Sequence, residues 1–176
     1  MARIYTRSGD KGDTGLVGGE RLPKDDPLVQ AIGDVDELNA VIGVARACGV
    51  GEELDAALAV IQNELFEVGA ALAGAEPADG FPPVSRLEQA IDQFEERLPP
   101  LREFILPAGS PQAAHLHHAR AVCRRAERSV VAAFAGRAVV GAILVYLNRL
   151  SDLLFVLART ANARSAVQEV VWRKSE

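Results

Sequence analysis

Apolar side chains recur at alternating steps of four and three along most of this chain, and residues 1–30 lack that pattern. Leu38, Val41, Ile42 and Ala45 fall at i, i+3, i+4 and i+7, which is one face of a helix. Asp34 or Asp36 is placed to cap its N-terminus. A second helix is predicted from about 53 to 73, with Leu54, Leu58, Ile61, Leu65, Val68 and Leu72 as its stripe. The glycine, proline and aspartate content of residues 74–83 predicts a loop. Ser85 and Glu88 have capping-box spacing and start a third helix. That helix carries Leu87, Ile91, Phe94 and Leu98 until Pro99-Pro100 stops it. After a loop at 104–111, a fourth helix is predicted from Pro111 to about Phe134. It turns Leu116, Ala119, Cys123, Ala126, Val130 and Ala133 inward. The fifth runs from about 138 to 163 on Ile143, Leu147, Leu150, Leu154, Leu157 and Ala161.

Such spacing in successive helices is the mark of near-antiparallel bundle packing. Strand-like composition is confined to residues 3–6 and 170–172, there is no βαβ alternation, and no internal repeat occurs. In the head, Gly9, Gly12, Gly15, Gly18 and Gly19, then Pro23 and Pro27, hold the backbone out of a long helix. The expected fold is all-α: a five-helix bundle with a glycine-rich N-terminal loop laid against it.

Composition narrows the function. A chain of 176 residues predicts one domain. With 49% hydrophobic and 24% charged residues it can bury a core and is not disordered. A net charge of −5 argues against a general nucleic-acid binder. Aromatics at 5% argue against a base-stacking platform. No segment reaches the roughly 20 consecutive apolar residues expected of a membrane span, and residues 1–5 contain no apolar core of a signal peptide. Cys48 and Cys123 form neither a CxxC pair nor a zinc pattern, which fits reduced thiols. A cytoplasmic protein is expected.

The placement of charge says more than its sum. Arg120, Arg124, Arg125 and Arg128 crowd one stretch of the fourth helix with Glu127, a local +3 in an acidic chain. Arg120, Arg124 and Arg128 share a face with Glu127. The run reads either as a solvated face with intrahelical ion pairs or as bidentate recognition of phosphate or carboxylate. On the fifth helix Asn148, Asp152 and Arg159 form a polar stripe, read as an interhelical or intersubunit network or as an adenosine or metal contact. The head, Thr6-Arg7-Ser8-Gly9-Asp10-Lys11-Gly12-Asp13-Thr14-Gly15, is no Walker A loop. It could still converge backbone N–H groups on an anion, with Lys24 nearby. A polyphosphate ligand unites head, lysine and arginine face. His115, His117 and His118 lack a well-spaced further ligand, so no metal site is expected. No nucleophilic triad is present either.

Five ordered segments then carry a family resemblance. They are the head with Lys24; Gly33-Asp34-Val35-Asp36-Glu37-Leu38-Asn39; Phe104-Ile105-Leu106-Pro107; the run from Ala119 to Arg128; and Asn148-Arg149-Leu150-Ser151-Asp152. Together they resemble the PduO-type ATP:cob(I)alamin adenosyltransferases over nearly the whole chain, with Ala108 where the family commonly has glycine. The resemblance implies one corrinoid adenosyltransferase domain over 1–176. Residues 1–30 would be the nucleotide-binding loop, 34–163 the bundle and 164–176 a short tail.

It further implies a homotrimer with active sites between subunits. Thr6, Arg7, Ser8, Gly9, Thr14, Gly15 and Lys24 would line ATP on one subunit, completed across the interface by Arg124, Arg125, Glu127, Arg128 and Asn148. Asp36 and Arg120 resemble an intersubunit acid–arginine pair, and Phe104 an aromatic residue under the corrin ring. Arg120, Arg124, Asp36 and Phe104 are the residues expected to carry the reaction. ATP and cob(I)alamin are the implied substrates, with Mg²⁺. A reductase and an adenosylcobalamin-dependent mutase are candidate partners. The alternatives are a non-catalytic ATP/adenosylcobalamin carrier or adaptor on the same fold, and an ATP-free helical interaction module.

Overall fold

The computed structural model describes residues 4–76, 80–134 and 140–174. A short hairpin, β1 (Asp13–Gly15) and β2 (Arg21–Pro23), precedes five helices: α1 (Pro27–Ala47), α2 (Glu52–Leu72), α3 (Val84–Glu95), α4 (Pro111–Ala133) and α5 (Val140–Arg164). Helix α4 lies between α1 and α5, while α2 packs on α1 and α3 on α5. The all-α, five-helix expectation holds. Every apolar position of the α2 and α5 stripes is buried, and so are Leu38, Ile42, Leu116, Cys123 and Val130. Ala133 is only half-buried. Truncating a fully buried leucine such as Leu116 or Leu147 to alanine would cost about 2–5 kcal/mol.

The element ends depart from expectation. Helix α1 starts at Pro27, capped by Asp26, whose carboxylate accepts from Leu28 N at 2.8 Å. Proline at the first position and aspartate before it are the stronger start signal. Asp34 and Asp36 therefore lie inside the helix, and Gly33 is tolerated mid-helix because Ala31 and Val35 on either side are buried. The Ser85–Glu88 box is not formed: α3 begins at Val84 behind Pro83 with no side-chain cap. Glu88 instead pairs with Arg149 of α5. Helix α3 ends at Glu95, short of Leu98. Ser110 does cap α4, accepting from Ala113 N.

The head contains a hairpin that its glycine density concealed, with Thr14 opposite Leu22. Residues 4–6 are not a strand, and residue 3 lies outside the described residues, as do 77–79 of the predicted loop and the expected start of the fifth helix at 138. Residues 170–172 supply one antiparallel bridge, Val171 to Ile105. Helix Gly141–Arg164 is long and apolar enough to cross a membrane by length and composition, contrary to expectation. The side chains of its stripe, Ile143 to Ala161, are buried, and the helix packs on α4 and α3.

Candidate functional site

A cavity of about 490 Å³ opens between α3, α4, α5 and the 101–105 loop. Phe104, Arg120 and Arg124, three of the expected reactive-site residues, line it together with Asp152 and Phe155. Phe104 is 81% exposed, so its ring is presented rather than packed. The loop that carries it is held from behind. Trp172 N donates to the Phe104 carbonyl at 2.7 Å, and Leu106 N to the Val170 carbonyl at 2.8 Å. The loop's far end is fixed by Asn162, which accepts from Ser110 N and donates to the Ala108 carbonyl. Gly109 is required there: with φ +125°, a Cβ would lie 2.0 Å from Asn162 Oδ1.

Arg120 stacks on the Phe155 ring at 5.9 Å, and its Nε is buried without an acceptor. His117, one helical turn before, also packs against Phe155, its ring 5.9 Å from the same ring, with both nitrogens buried and unpartnered. Burial first, and the charge of Arg120 second, hold His117 below its ordinary pKa. It is a packing residue, one of the roles open to the histidines in the sequence.

The α4 arginines divide in use. Arg124 is exposed and forms no ion pair among the described residues. Arg128 donates to the Arg124 carbonyl at 2.9 Å. Arg125 crosses to α1, where it meets Asp34 at 3.4 Å and Glu37. Asn148 of α5 donates to Glu127 of α4 at 3.2 Å, so these two expected ligands join each other across the helix pair. Asp36 is exposed and has no ion pair among the described residues. Arg159, read in the sequence as part of the polar stripe, is buried in a network within the chain: it donates to Glu169 at 2.8 Å and to the Pro99 carbonyl at 2.8 Å. The stripe thus reduces to Asn148 and Asp152.

The head forms its own small framework. Arg21 donates to the Ser8 carbonyl at 2.7 Å and pairs with Asp13 at 2.9 Å. The hydrogen bond from Arg21 is the main cause of a lowered Asp13 pKa. Lys24 N donates to the Gly12 carbonyl at 2.8 Å, which folds β2 back over the loop. A Cβ on Gly9 would stand 3.2 Å from Lys24 Nζ, so glycine lets the ammonium lie against the loop. Thr6 and Ser8 share a hydroxyl hydrogen bond of 2.7 Å, and Arg7, with φ 60°, sits over Tyr5. Thr14 and Gly15 belong to β1. The head is pinned to the end of α2 by Val17 N to the Ala73 carbonyl, and none of its residues lines the Phe104 cavity.

Sequence reasoning missed Phe155 and Ile91 as cavity walls. Both belong to apolar helix patterns, and only their spacing from Asp152 and Leu87 signals the shared face. Among the described residues, no three His, Cys, Asp or Glu side chains gather as a metal centre.

Residues 4–161 match the cobalamin adenosyltransferase family. The chain is 45% identical to the corrinoid adenosyltransferase of Bacillus subtilis, over 98% of this chain and 93% of that one. It is 44% identical to the cobalamin adenosyltransferase of Cupriavidus metallidurans, over 99% and 96%. A PduO-type ATP:corrinoid adenosyltransferase variant from Lactobacillus reuteri, complexed with cobalamin and ATP, superposes with a TM-score of 0.89 at 37% identity, covering 98% of this chain and all of that one. A second variant of that enzyme, complexed with ATP, gives 0.87 at 38%, over 97% and 100%. With five helices in common and similarity along its whole length, the chain belongs to the cobalamin adenosyltransferase family.

Proposed function

We propose that this protein transfers the 5′-deoxyadenosyl group of ATP to the cobalt of cob(I)alamin, releasing triphosphate. The observation that carries the reading is the single cavity shared by Phe104, Arg120 and Arg124. Co(I) is a strong nucleophile. Its electron pair forms the bond to C5′ as the C5′–O bond breaks and the triphosphate leaves with that bond's electrons. No proton moves in this step, so neither an activated serine nor a histidine base is needed. The protein must align two substrates and neutralise a polyanionic leaving group.

The groups on hand suit those tasks. Phe104 presents an exposed apolar ring that disfavours a lower axial ligand on cobalt and so eases reduction of Co(II). Arg124, exposed and without an ion pair among the described residues, is free for phosphate, and the head offers Thr6, Arg7, Ser8, Gly9, Thr14, Gly15 and Lys24 for the same task. Arg128, Glu127 and Asn148 border Arg124, while Arg125 shapes this surface through α1. Mg²⁺ would accompany the substrate's phosphates, because Mg²⁺ is held by few carboxylates plus phosphate oxygens and water. The separation of the head from the Phe104 cavity supports a site completed by a neighbouring copy, hence a homotrimer with Asp36 meeting a neighbour's Arg120. The chain would act as one domain, in a reducing cytoplasm consistent with unpaired Cys48 and Cys123, and pass its product to a mutase after a reductase has supplied Co(I).

Anaerobic incubation with cob(I)alamin, ATP and Mg²⁺ tests this: adenosylcobalamin absorbance should appear over many turnovers. Absence of product would refute it, and a single stoichiometric turnover would mark a carrier instead.

A further inference from the structure

We infer that residues 167–172 form a positioning strap for Phe104, latched by the buried Arg159 and its half-buried partner Glu169; this rests on the reading of Phe104 as the surface beneath the corrin. Phe104 has no packing of its own to fix it, being 81% exposed at the tip of a loop flanked by Pro99-Pro100 and Pro107. What holds its backbone comes from the far end of the chain. After α5, Val167 N donates to the Asn162 carbonyl at 2.9 Å, and Ala166 takes φ +52°, so the chain reverses along the bundle. It then lies antiparallel to the Phe104 loop, with Leu106 N on Val170 and Trp172 N on Phe104.

Arg159 closes the other end of the frame. Its guanidinium, 2% exposed, donates to both Glu169 oxygens and to the Pro99 carbonyl, at 2.8–3.3 Å. One side chain of α5 therefore grips the strap and the start of the loop together. Between the two lies a cavity of about 370 Å³, walled by Leu98, Leu101, Arg159, Val167 and Glu169. Such a frame is not filled with packing atoms, so its rigidity comes from the latch and the backbone bonds. Loosening either lets Phe104 shift against the ring it faces. A buried ion pair whose partner is removed leaves an uncompensated charge, so Glu169 reports on the latch sharply. Glu169 and Arg159 are positioning residues; neither lines the Phe104 cavity.

The test uses ATP-loaded, full-length protein with cob(II)alamin, read by electron paramagnetic resonance and absorbance for cobalt lacking a lower axial ligand. Glu169→Gln breaks the latch; Trp172→Pro removes one N–H from the strap and keeps the ion pair, so it decides the matter should Glu169→Gln fail to fold. Each should lower the axially unligated fraction and slow the reaction started from Co(II) with a mild reductant by about tenfold, as misplacements of about 1 Å can cost up to ~100-fold. The KM for ATP and the rate from pre-reduced Co(I) should stay within about twofold, since neither depends on losing that ligand. A folded variant with a lowered melting temperature but the wild-type Co(II) spectrum overturns the strap and leaves a structural role. Phe104→Ala separates the two ideas: if it alters the spectrum and the strap variants do not, only the strap fails. If Phe104→Ala itself leaves the spectrum unchanged, the assignment of Phe104 fails first and the strap with it.

Discussion

Arg125 Nε stands 3.4 Å from Asp34 Oδ1, joining α4 to α1 at a carboxylate whose side chain is 5% exposed. The contact is ionic rather than a hydrogen bond, since Nε has no acceptor in bonding geometry. Its sequence neighbour Arg124 has no such partner among the described residues. Two adjacent arginines thus have different consequences. Arg125→Ala leaves Asp34 with only Gln30 and Ser129. An under-satisfied buried group costs about 1–3 kcal/mol, which lowers the melting temperature by roughly 2–4 °C per kcal/mol at this chain length. Arg124→Ala should leave the melting temperature almost unchanged while raising the KM for ATP and lowering kcat by tenfold or more, on the order of one lost charged contact. Thermal unfolding beside steady-state kinetics separates the two. Equal effects of both substitutions on melting would contradict the division.

The same contrast explains what a linear reading reaches. The stripes of α2 and α5 are legible because burial follows period alone, and every apolar position along them is buried. Asp26-Pro27 is a start signal that the chain uses, because a helix tolerates one glycine, Gly33, where its neighbours bury well. The arginine run on α4 is legible from helical spacing, while Phe104 enters only through the ordered motifs. Arg159 was not. Its spacing places it on the polar stripe of α5 without naming a partner, and Glu169 reaches it only after the chain reverses at Ala166. The hairpin was hidden for a similar reason: Asp13 and Arg21 meet across strands, a pairing that glycine counting cannot supply. Non-local ion pairs decide these positions, and periodicity carries no information about them.

His117 makes stability depend on acid. Burial, reinforced by Arg120 and opposed by Glu169, depresses its pKa in the folded state. The unfolded chain therefore binds the proton more readily. Its contribution to stability is complete above the ordinary histidine value of about 6.5 and is lost as the pH falls below it toward the folded value. Between about pH 7.5 and pH 5.5 the wild type should lose more melting temperature than His117→Gln, which cannot take up that proton. Parallel curves for the two proteins would show that the imidazole does not titrate in this range.

The cysteines should differ in reactivity. Cys123 is fully buried, its thiol donates to the Leu147 carbonyl, and burial pushes its pKa well above the ordinary thiol value. Cys48 is half-exposed at the C-terminus of α1. The thiolate is the reacting form. Iodoacetamide on the native protein should therefore alkylate Cys48 alone, and both after denaturation, as read by peptide mass spectrometry. Rapid native labelling of Cys123 would mean that the α4–α5 seam opens readily.

Arg120 and Asp36 present complementary needs that one chain does not meet. Arg120 Nε is buried against Phe155 without an acceptor, whereas Asp36 is an exposed carboxylate with no ion pair among the described residues. A buried donor without a partner is costly, and a neighbouring copy's Asp36 would satisfy it while bringing a second head toward the cavity. Asp36→Asn removes the charge and keeps the shape. Because truncating one partner of a buried interfacial charge pair costs about 2–5 kcal/mol, the proposed trimer should dissociate in the variant at concentrations where the wild-type assembly persists. Its activity should fall steeply on dilution, while its helical circular dichroism stays unchanged because the Asp36 side chain has no hydrogen bond or ion pair among the described residues. Arg120→Ala should dissociate the assembly to a similar degree, and the double variant should be little worse than either alone, since both remove one interaction. Additive losses in the double variant would mean that the two residues have separate partners, and the active site would then need another explanation for its divided parts.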